Sequence, residues 1–321
     1  MKFATLPNGT RDGRLHVVSR DLSRAAPAEG VETLQALLED WSAHEARLAT
    51  QYEAVNGGAG VAFDAGMALA PLPRAWQWLD GSAFDSHGDL MDQVFGMTDK
   101  FKPPFPYMYQ GVSNKFYGPT EDVRFRLEED FIDFEGEFGV ILDDVPMGVS
   151  EAEAPAHIRL IVQINDWSLR RIAPVEMKTG FGWVHAKPPC SMAPVAVTPD
   201  ELGDAWRDAR VDLTLNVWWN GEGFGAANGY AMSSGFDRLV AHAAYSRDLV
   251  AGTVIGSGTV SNANFREVGS SCIAERRGIE MIDEGAARTG FMSFGDRVKM
   301  EVFGSDGQSV FGAIDQRVVR A

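Results

Sequence analysis

The chain has 321 residues, 45% hydrophobic and 23% charged, close to globular averages, so it is able to bury a sizeable core. Its 29 basic and 45 acidic residues leave a net charge of −16 and a pI near 4.8, which argues against a partner with a phosphate backbone and so against nucleic acid. Cys190 and Cys272 are the only cysteines. That is too few for a disulfide scaffold or a cysteine-based zinc module, and it fits a reduced, cytoplasmic setting. No apolar run approaches the ~18 residues of a membrane span, and Met1 to Leu6 shows no secretory pattern.

In chain order, Met1 to Val18 predicts two short strands around the turn signal Pro7-Asn8-Gly9. Val31, Leu34, Leu38, Trp41, Leu48 and Tyr52 recur at helical spacing and predict one packing helix. Asn56-Gly57-Gly58-Ala59-Gly60 lacks the Gly-Lys-Ser/Thr ending of a phosphate loop and reads as a plain loop. Pro71, Pro73, Pro103, Pro104 and Pro106 mark a connector, with a short helix near His87 to Val94. The domain boundary is expected near residue 100, giving a small N-terminal domain over 1–100 and a larger one over 101–321. Beyond it, β-type runs cover 123–127, 131–142, 159–166, 211–219, 254–260 and 297–303, with a hairpin signal at Asn220-Gly221 and a helix over 236–249. Many strands with few helices do not make the regular alternation of a doubly wound sheet; they predict an α+β chain whose C-terminal part is mostly antiparallel.

The most informative stretch is Asp133-Phe134-Glu135-Gly136-Glu137-Phe138-Gly139. Side chains at i and i+2 share a strand face, so Glu135 and Glu137 project together, opposite Phe134 and Phe138. Two carboxylates in a core-lining strand must protonate or bind a cation, and paired carboxylate oxygens suit a hard ion such as Mg²⁺, Mn²⁺ or Ca²⁺; a solvated strand face is the bland alternative. Gly136 leaves the opposite face thin enough for close backbone approach. Ile164-Asn165-Asp166-Trp167-Ser168-Leu169-Arg170 ends an apolar strand. There Asp166 either completes an oxygen set or caps a helix, and Arg170 has the geometry to pin a carboxylate. Lys187, in a loop of glycine, aromatic and proline residues, either orients an anionic intermediate or sits at the surface. Gly256-Ser257-Gly258-Thr259 presents backbone N–H groups and hydroxyls, and Glu275 is either an acid/base or a partner of Arg276 or Arg277.

Taken together, Phe-Glu-Gly-Glu (134–137), Asn-Asp-Trp-Ser-x-Arg (165–170), Lys187, Asn-Gly-Glu (220–222) and Ser-Gly-Thr-Val (257–260) resemble the fumarylacetoacetate hydrolase family, over roughly residues 100–321 and more weakly in the N-terminal segment. The Tyr109-Gln110-Gly111 region is similar to bacterial members closer to the hydrolase than to the shorter hydratases. The resemblance implies a C-terminal β-roll domain, a smaller N-terminal α/β domain, homodimers and a divalent metal held by Glu135, Glu137 and Asp166. It also implies catalytic roles for Arg170, Lys187 and Glu275, substrate contacts from Tyr109 and Thr259, and a hydroxyl at Ser191. The hydrolase's fourth metal carboxylate falls at Tyr107, its catalytic histidine near Asn114 and a glutamine at Ala173. Weaker metal binding is therefore expected, and His87 and His185 are left as candidate bases. The implied reaction is hydrolysis of a C–C bond in a β-diketo acid of the fumarylacetoacetate or acylpyruvate type, in aromatic compound or aromatic amino acid catabolism. The alternatives are hydration, decarboxylation or tautomerisation of a 2-oxo acid, a non-catalytic protein binding a small acid, and a nucleotide-binding enzyme using the glycine-rich runs.

Overall fold

The computed structural model describes residues 1–94 and 103–321. The boundary expected near residue 100 falls outside the described residues. The fold is α+β. Among the described residues eleven strands join in one sheet, in the order Val61–Ala62, Arg24–Pro27, Arg14–Val18, Lys2–Leu6, Ala196–Val197, Ile158–Asn165, Gly136–Leu142, Thr253–Gly256, Gln77–Gly81 and Met108–Gly111, with Ser191–Met192 also paired to Ile158–Asn165. The pairs are antiparallel except Thr253–Gly256 with Gln77–Gly81. A second sheet runs Glu222–Asn228, Thr214–Trp219, Arg297–Val302, Ile314–Arg320 and Val123–Phe125.

The strand Gly136–Leu142 explains how the core is divided. Phe138, Val140 and Leu142 point to the core between the sheets, with Leu215, Val217, Val298 and Met300. Ile141 points the other way, with its cross-strand partner Leu160 and with Val162 and Ile164, toward the N-terminal unit. Gly136 lets the sheets approach closely: a Cβ there would lie 2.8 Å from Leu215 Cδ2. The N-terminal unit lays its helices over this second core, with Leu34, Leu37, Leu38, Trp41, Leu48 and Tyr52 buried. The single helix expected there is two, Leu34–Glu39 and Trp41–Asn56, because Asp40 adopts a non-helical φ of −142°. Thr33 caps the first, its side chain accepting from Ala36 N at 3.1 Å. The hairpin at Asn220-Gly221 forms as read, both residues at positive φ (52° and 85°), which turns Thr214–Trp219 into Glu222–Asn228. Several elements were not foreseen, among them the strands Gln77–Gly81 and Met108–Gly111, the helix Ile273–Glu284 and the strand Ile314–Arg320.

Candidate metal centre

Three strands of the large sheet bring acidic groups to one buried point. Glu137 comes from Gly136–Leu142, Asp166 directly follows Ile158–Asn165, and Asp80 comes from Gln77–Gly81. One oxygen from each of these three carboxylates lies within 4.8 Å of the others, and all three residues are buried. Neither Glu137 oxygen has a hydrogen-bond donor among the described residues. Burial first, then the neighbouring carboxylates Asp166 and Glu135, push Asp80 well above the usual carboxylate range; burial, Asp80 and Asp166 do the same to Glu137. An unserved buried carboxylate is costly unless an ion neutralises it. Gly256 forms one wall of the cluster: a Cβ there would meet the Trp78 ring and lie 2.5 Å from Asp80 Oδ1 and 3.0 Å from Glu137 Oε2. The donor set is all oxygen and the wall is glycine, which fits a hard divalent cation.

Glu135 lies beside this cluster and is not one of its three carboxylates. Its Oε1 accepts from Ser168 Oγ (2.8 Å), Arg170 Nη2 (2.5 Å) and Lys187 Nζ (3.1 Å), and its Oε2 accepts from Thr259 Oγ1 (2.8 Å). Burial opposes ionisation, but Lys187, Arg170 and His87 outweigh it and hold the carboxylate below its ordinary range. Both glutamates are enclosed, so the solvated-face reading does not hold. Lys187 spans to the metal cluster, donating to Asp166 Oδ2 at 2.5 Å. The same oxygen accepts from Tyr109 OH at 2.8 Å, and Asp166 Oδ1 accepts from Cys190 Sγ at 3.0 Å. Lys187 is flanked by the rings of Tyr109 and Trp183, which meet edge-on at 4.8 Å. Arg170 is turned inward, its Nε on Asp133 at 2.8 Å as well as its Nη2 on Glu135, so it organises the site's carboxylates rather than standing free.

Glu275 lies in the first turn of the helix Ile273–Glu284 and is fully buried. Its Oε1 accepts from Ser261 Oγ at 2.5 Å and lies 3.6 Å from His87 Nδ1. The resemblance put the fourth carboxylate at position 107 and the histidine near 114; beside the other candidate residues the structure has Asp80 and His87. Asp80 brings a carboxylate to the cluster and is the direct cross-strand partner of Tyr109, whereas Tyr107 precedes Tyr109 along the chain and is 45% exposed. His87 faces Glu275, while Asn114 is exposed and lines a surface hollow with Arg11 and Lys115. The other candidate, His185, is 77% exposed next to Glu176. Ser191 accepts from Trp167 Nε1 at 2.9 Å in the sheet and holds the motif tryptophan. Asp80 and Cys190 carried no recognisable signal of their own; Asp80 lay in a stretch read as a proline-marked connector.

The comparisons with known proteins agree with this architecture. A family model described as fumarylacetoacetate (FAA) hydrolase C-terminal matches residues 77–319, and one described as fumarylacetoacetase N-terminal domain 2 matches residues 1–74. The chain belongs to the fumarylacetoacetate hydrolase family. It is 29% identical over 160 residues to a curated 2,4-didehydro-3-deoxy-L-rhamnonate hydrolase from a Sphingomonas strain, a match that spans 49% of this chain and 53% of that protein. Its fold is shared by a Sphingobium maleylpyruvate hydrolase crystallised with manganese(II) and pyruvate (17% identical, TM-score 0.67, all of both chains). A 5-carboxymethyl-2-hydroxymuconate delta-isomerase from Mycobacterium smegmatis also shares it (18% identical, TM-score 0.63, 100% and 99% of the chains). No helix among the described residues is long and apolar enough to cross a membrane.

Proposed function

We propose that this chain is a divalent-metal-dependent hydrolase that cleaves the C–C bond of a β-diketo acid of the acylpyruvate type, in the catabolism of aromatic compounds. The observation that carries the reading is the unserved Glu137 carboxylate packed against Asp80 and Asp166, next to Lys187. Asp80, Glu137 and Asp166 are the residues that would hold Mg²⁺ or Mn²⁺, with Glu135 at its side. Bound there, the ion would act as a Lewis acid toward the 2-oxo acid end of the substrate. The hydrolases among the proteins of similar sequence or fold, and the manganese and pyruvate in one of them, support this reading.

The chain's own groups divide the remaining work. His87 turns Nδ1 toward Glu275, which leaves Nε2 to take a proton from water. The resulting hydroxide adds to the acyl carbonyl. The bond between that carbon and the methylene then breaks, and its electron pair goes to the pyruvate fragment as an enolate. Lys187 is fixed as an ammonium, because Asp166 and Glu135 outweigh the burial that disfavours its charge. It offsets the developing oxyanion. Arg170, Ser168 and Thr259 keep Glu135 ionised and in place. The proton that His87 took from water returns to the enolate carbon, which completes pyruvate and regenerates the base. We also propose that the chain works as a homodimer in the cytoplasm.

The test is incubation of the purified chain with a synthetic acylpyruvate and Mn²⁺. Loss of diketone absorbance with stoichiometric pyruvate and carboxylate release is expected, abolished by EDTA and restored by Mn²⁺. Absorbance loss without carboxylate release identifies a tautomerase, hydratase or decarboxylase instead, and no turnover at all identifies a binding protein.

A further inference from the structure

We propose that Glu176 is a positioning residue that sets Lys187 and Trp183, and so the solvent-side wall of the site; this rests on the reading that Lys187 takes part in the reaction. Glu176 lies in the short helix Ala173–Met177, which begins three residues past Arg170. Its carboxylate accepts three consecutive backbone N–H groups from the returning limb of the loop: Val184 at 3.1 Å, His185 at 3.0 Å and Ala186 at 3.0 Å. The residue on one side of that triplet is Trp183, whose ring meets Tyr109 edge-on and whose Nε1 reaches Ala173 O at 3.4 Å. The residue on the other side is Lys187, the bridge between Asp166 and Glu135.

The carboxylate therefore ties the two limbs of one loop, the limb leaving Arg170 and the limb arriving at Lys187. Ala186 is held from its other end as well, its O accepting from Leu169 N at 2.8 Å. Little core depends on this tie. The tip of the loop turns outward, with Phe181 96% exposed and Val184 79% exposed, and Gly180 and Gly182 at positive φ make the turn. What the three bonds fix is position: three adjacent N–H groups directed to two oxygens leave the segment 184–186 one register, and the start of the Lys187 side chain follows from it. A carboxylate is suited to this because charge-assisted bonds from backbone N–H are shorter and stronger than neutral ones.

The experiment is a double-mutant cycle on the Mn²⁺-loaded chain with Glu176→Ala, Glu176→Gln, Lys187→Ala and the double variant Glu176→Ala/Lys187→Ala. Misplacing a reacting group by about 1 Å costs on the order of 10²-fold, so Glu176→Ala is expected to lose 10- to 100-fold in kcat/KM on the acylpyruvate. Glu176→Gln, which keeps one accepting oxygen, is expected to recover part of this. Because Glu176 acts through Lys187, the double variant should be no worse than Lys187→Ala alone to within about threefold. Multiplying losses, or wild-type rates in Glu176→Ala, overturn the proposal. A second readout needs no substrate. Lys187 is buried, so acetic anhydride should label it in Glu176→Ala and spare it in the wild type, and amide exchange at 184–186 should quicken at least tenfold. Unchanged labelling and exchange overturn the proposal, whether or not the wild type cleaves acylpyruvates; a wild type without turnover overturns only the assigned reaction. Should Glu176→Ala fail to fold, the same cycle and labelling with Glu176→Gln decide the matter.

Discussion

The Lys187 ammonium donates to Asp166 Oδ2 at 2.5 Å in a site from which both residues exclude solvent. With its second bond to Glu135, this one cation joins the Asp80–Glu137–Asp166 cluster to the hydrogen-bonded glutamate beside it. Lys187→Met removes the charge and keeps the bulk. It leaves two buried carboxylates short of a partner, and truncating one side of a buried ion pair costs about 3–5 kcal/mol. The pairing holds Lys187 above its ordinary 10.5, so its stabilising contribution is fully present below that value and is lost only as pH rises past it. Thermal unfolding of Lys187→Met is therefore expected to show a loss nearly constant between pH 6 and 9, and catalysis is expected to fall by ~10²-fold or more.

Glu137 behaves in the opposite sense. Its folded carboxyl is held above the ordinary range, so the metal-stripped folded chain binds more protons than the unfolded one. Stability of the stripped protein then declines as pH rises from the ordinary carboxylate value near 4.5 toward neutrality. Glu137→Gln removes the charge that causes the decline. The variant is expected to melt higher than the stripped wild type at pH 7.5, to converge with it as pH falls below the ordinary value of 4.5, and to gain nothing from Mn²⁺, as read by scanning calorimetry.

Gly256 offers a way to spoil the centre without deleting a ligand. A Cβ at this position intrudes between Asp80 and Glu137 and against Trp78. Gly256→Ala is expected to weaken Mn²⁺ binding at least tenfold and, through overpacking, to cost about 1–3 kcal/mol. Calorimetric titration with Mn²⁺ and denaturant unfolding of the same preparation check the two effects separately.

His87 Nδ1 lies 3.6 Å from Glu275 Oε1, and in the proposed reaction this pair would take the proton from water. General-base catalysis contributes about 10²–10⁴-fold, so His87→Gln and Glu275→Gln are each expected to lose carboxylate and pyruvate release by that order. The two losses should not multiply. Exchange of the substrate methylene protons into D₂O should survive both substitutions, because enolisation of the intact β-diketo acid precedes the addition of hydroxide and C–C cleavage and needs no activated water. Proton NMR of the substrate in D₂O, followed alongside pyruvate release, separates the two steps.

Much of the site was legible because its signals are local. Glu135 and Glu137 are two apart, Asp166 ends an apolar strand, and Thr259 lies in a glycine-rich run; the fold brings all of them together with Tyr109 and Lys187. Asp80 was not legible because its relation to Tyr109 runs across two paired strands, and a reading along the chain found Tyr107 instead. His87 follows Asp80 by seven residues, the same interval that separates 107 from 114, so one displacement along the chain moved both assignments. The expected single helix over 31–52 failed at Asp40 for a related reason: a break in backbone φ leaves the hydrophobic spacing intact, with Leu38 and Trp41 both buried. The helix at Glu275 was masked because its N-cap is Cys272, whose Sγ accepts from Glu275 N at 3.3 Å, a residue outside the usual capping set.

A Mn²⁺ titration of the metal-stripped chain, followed by electron paramagnetic resonance while pyruvate release is measured on the same samples, bears most directly on the three-carboxylate centre. One tightly held ion per chain is expected in the wild type, with turnover rising in step with occupancy, and neither in Asp80→Asn, Glu137→Gln or Asp166→Asn. Equal binding by the folded variants, or undiminished turnover in the stripped wild type, contradicts it.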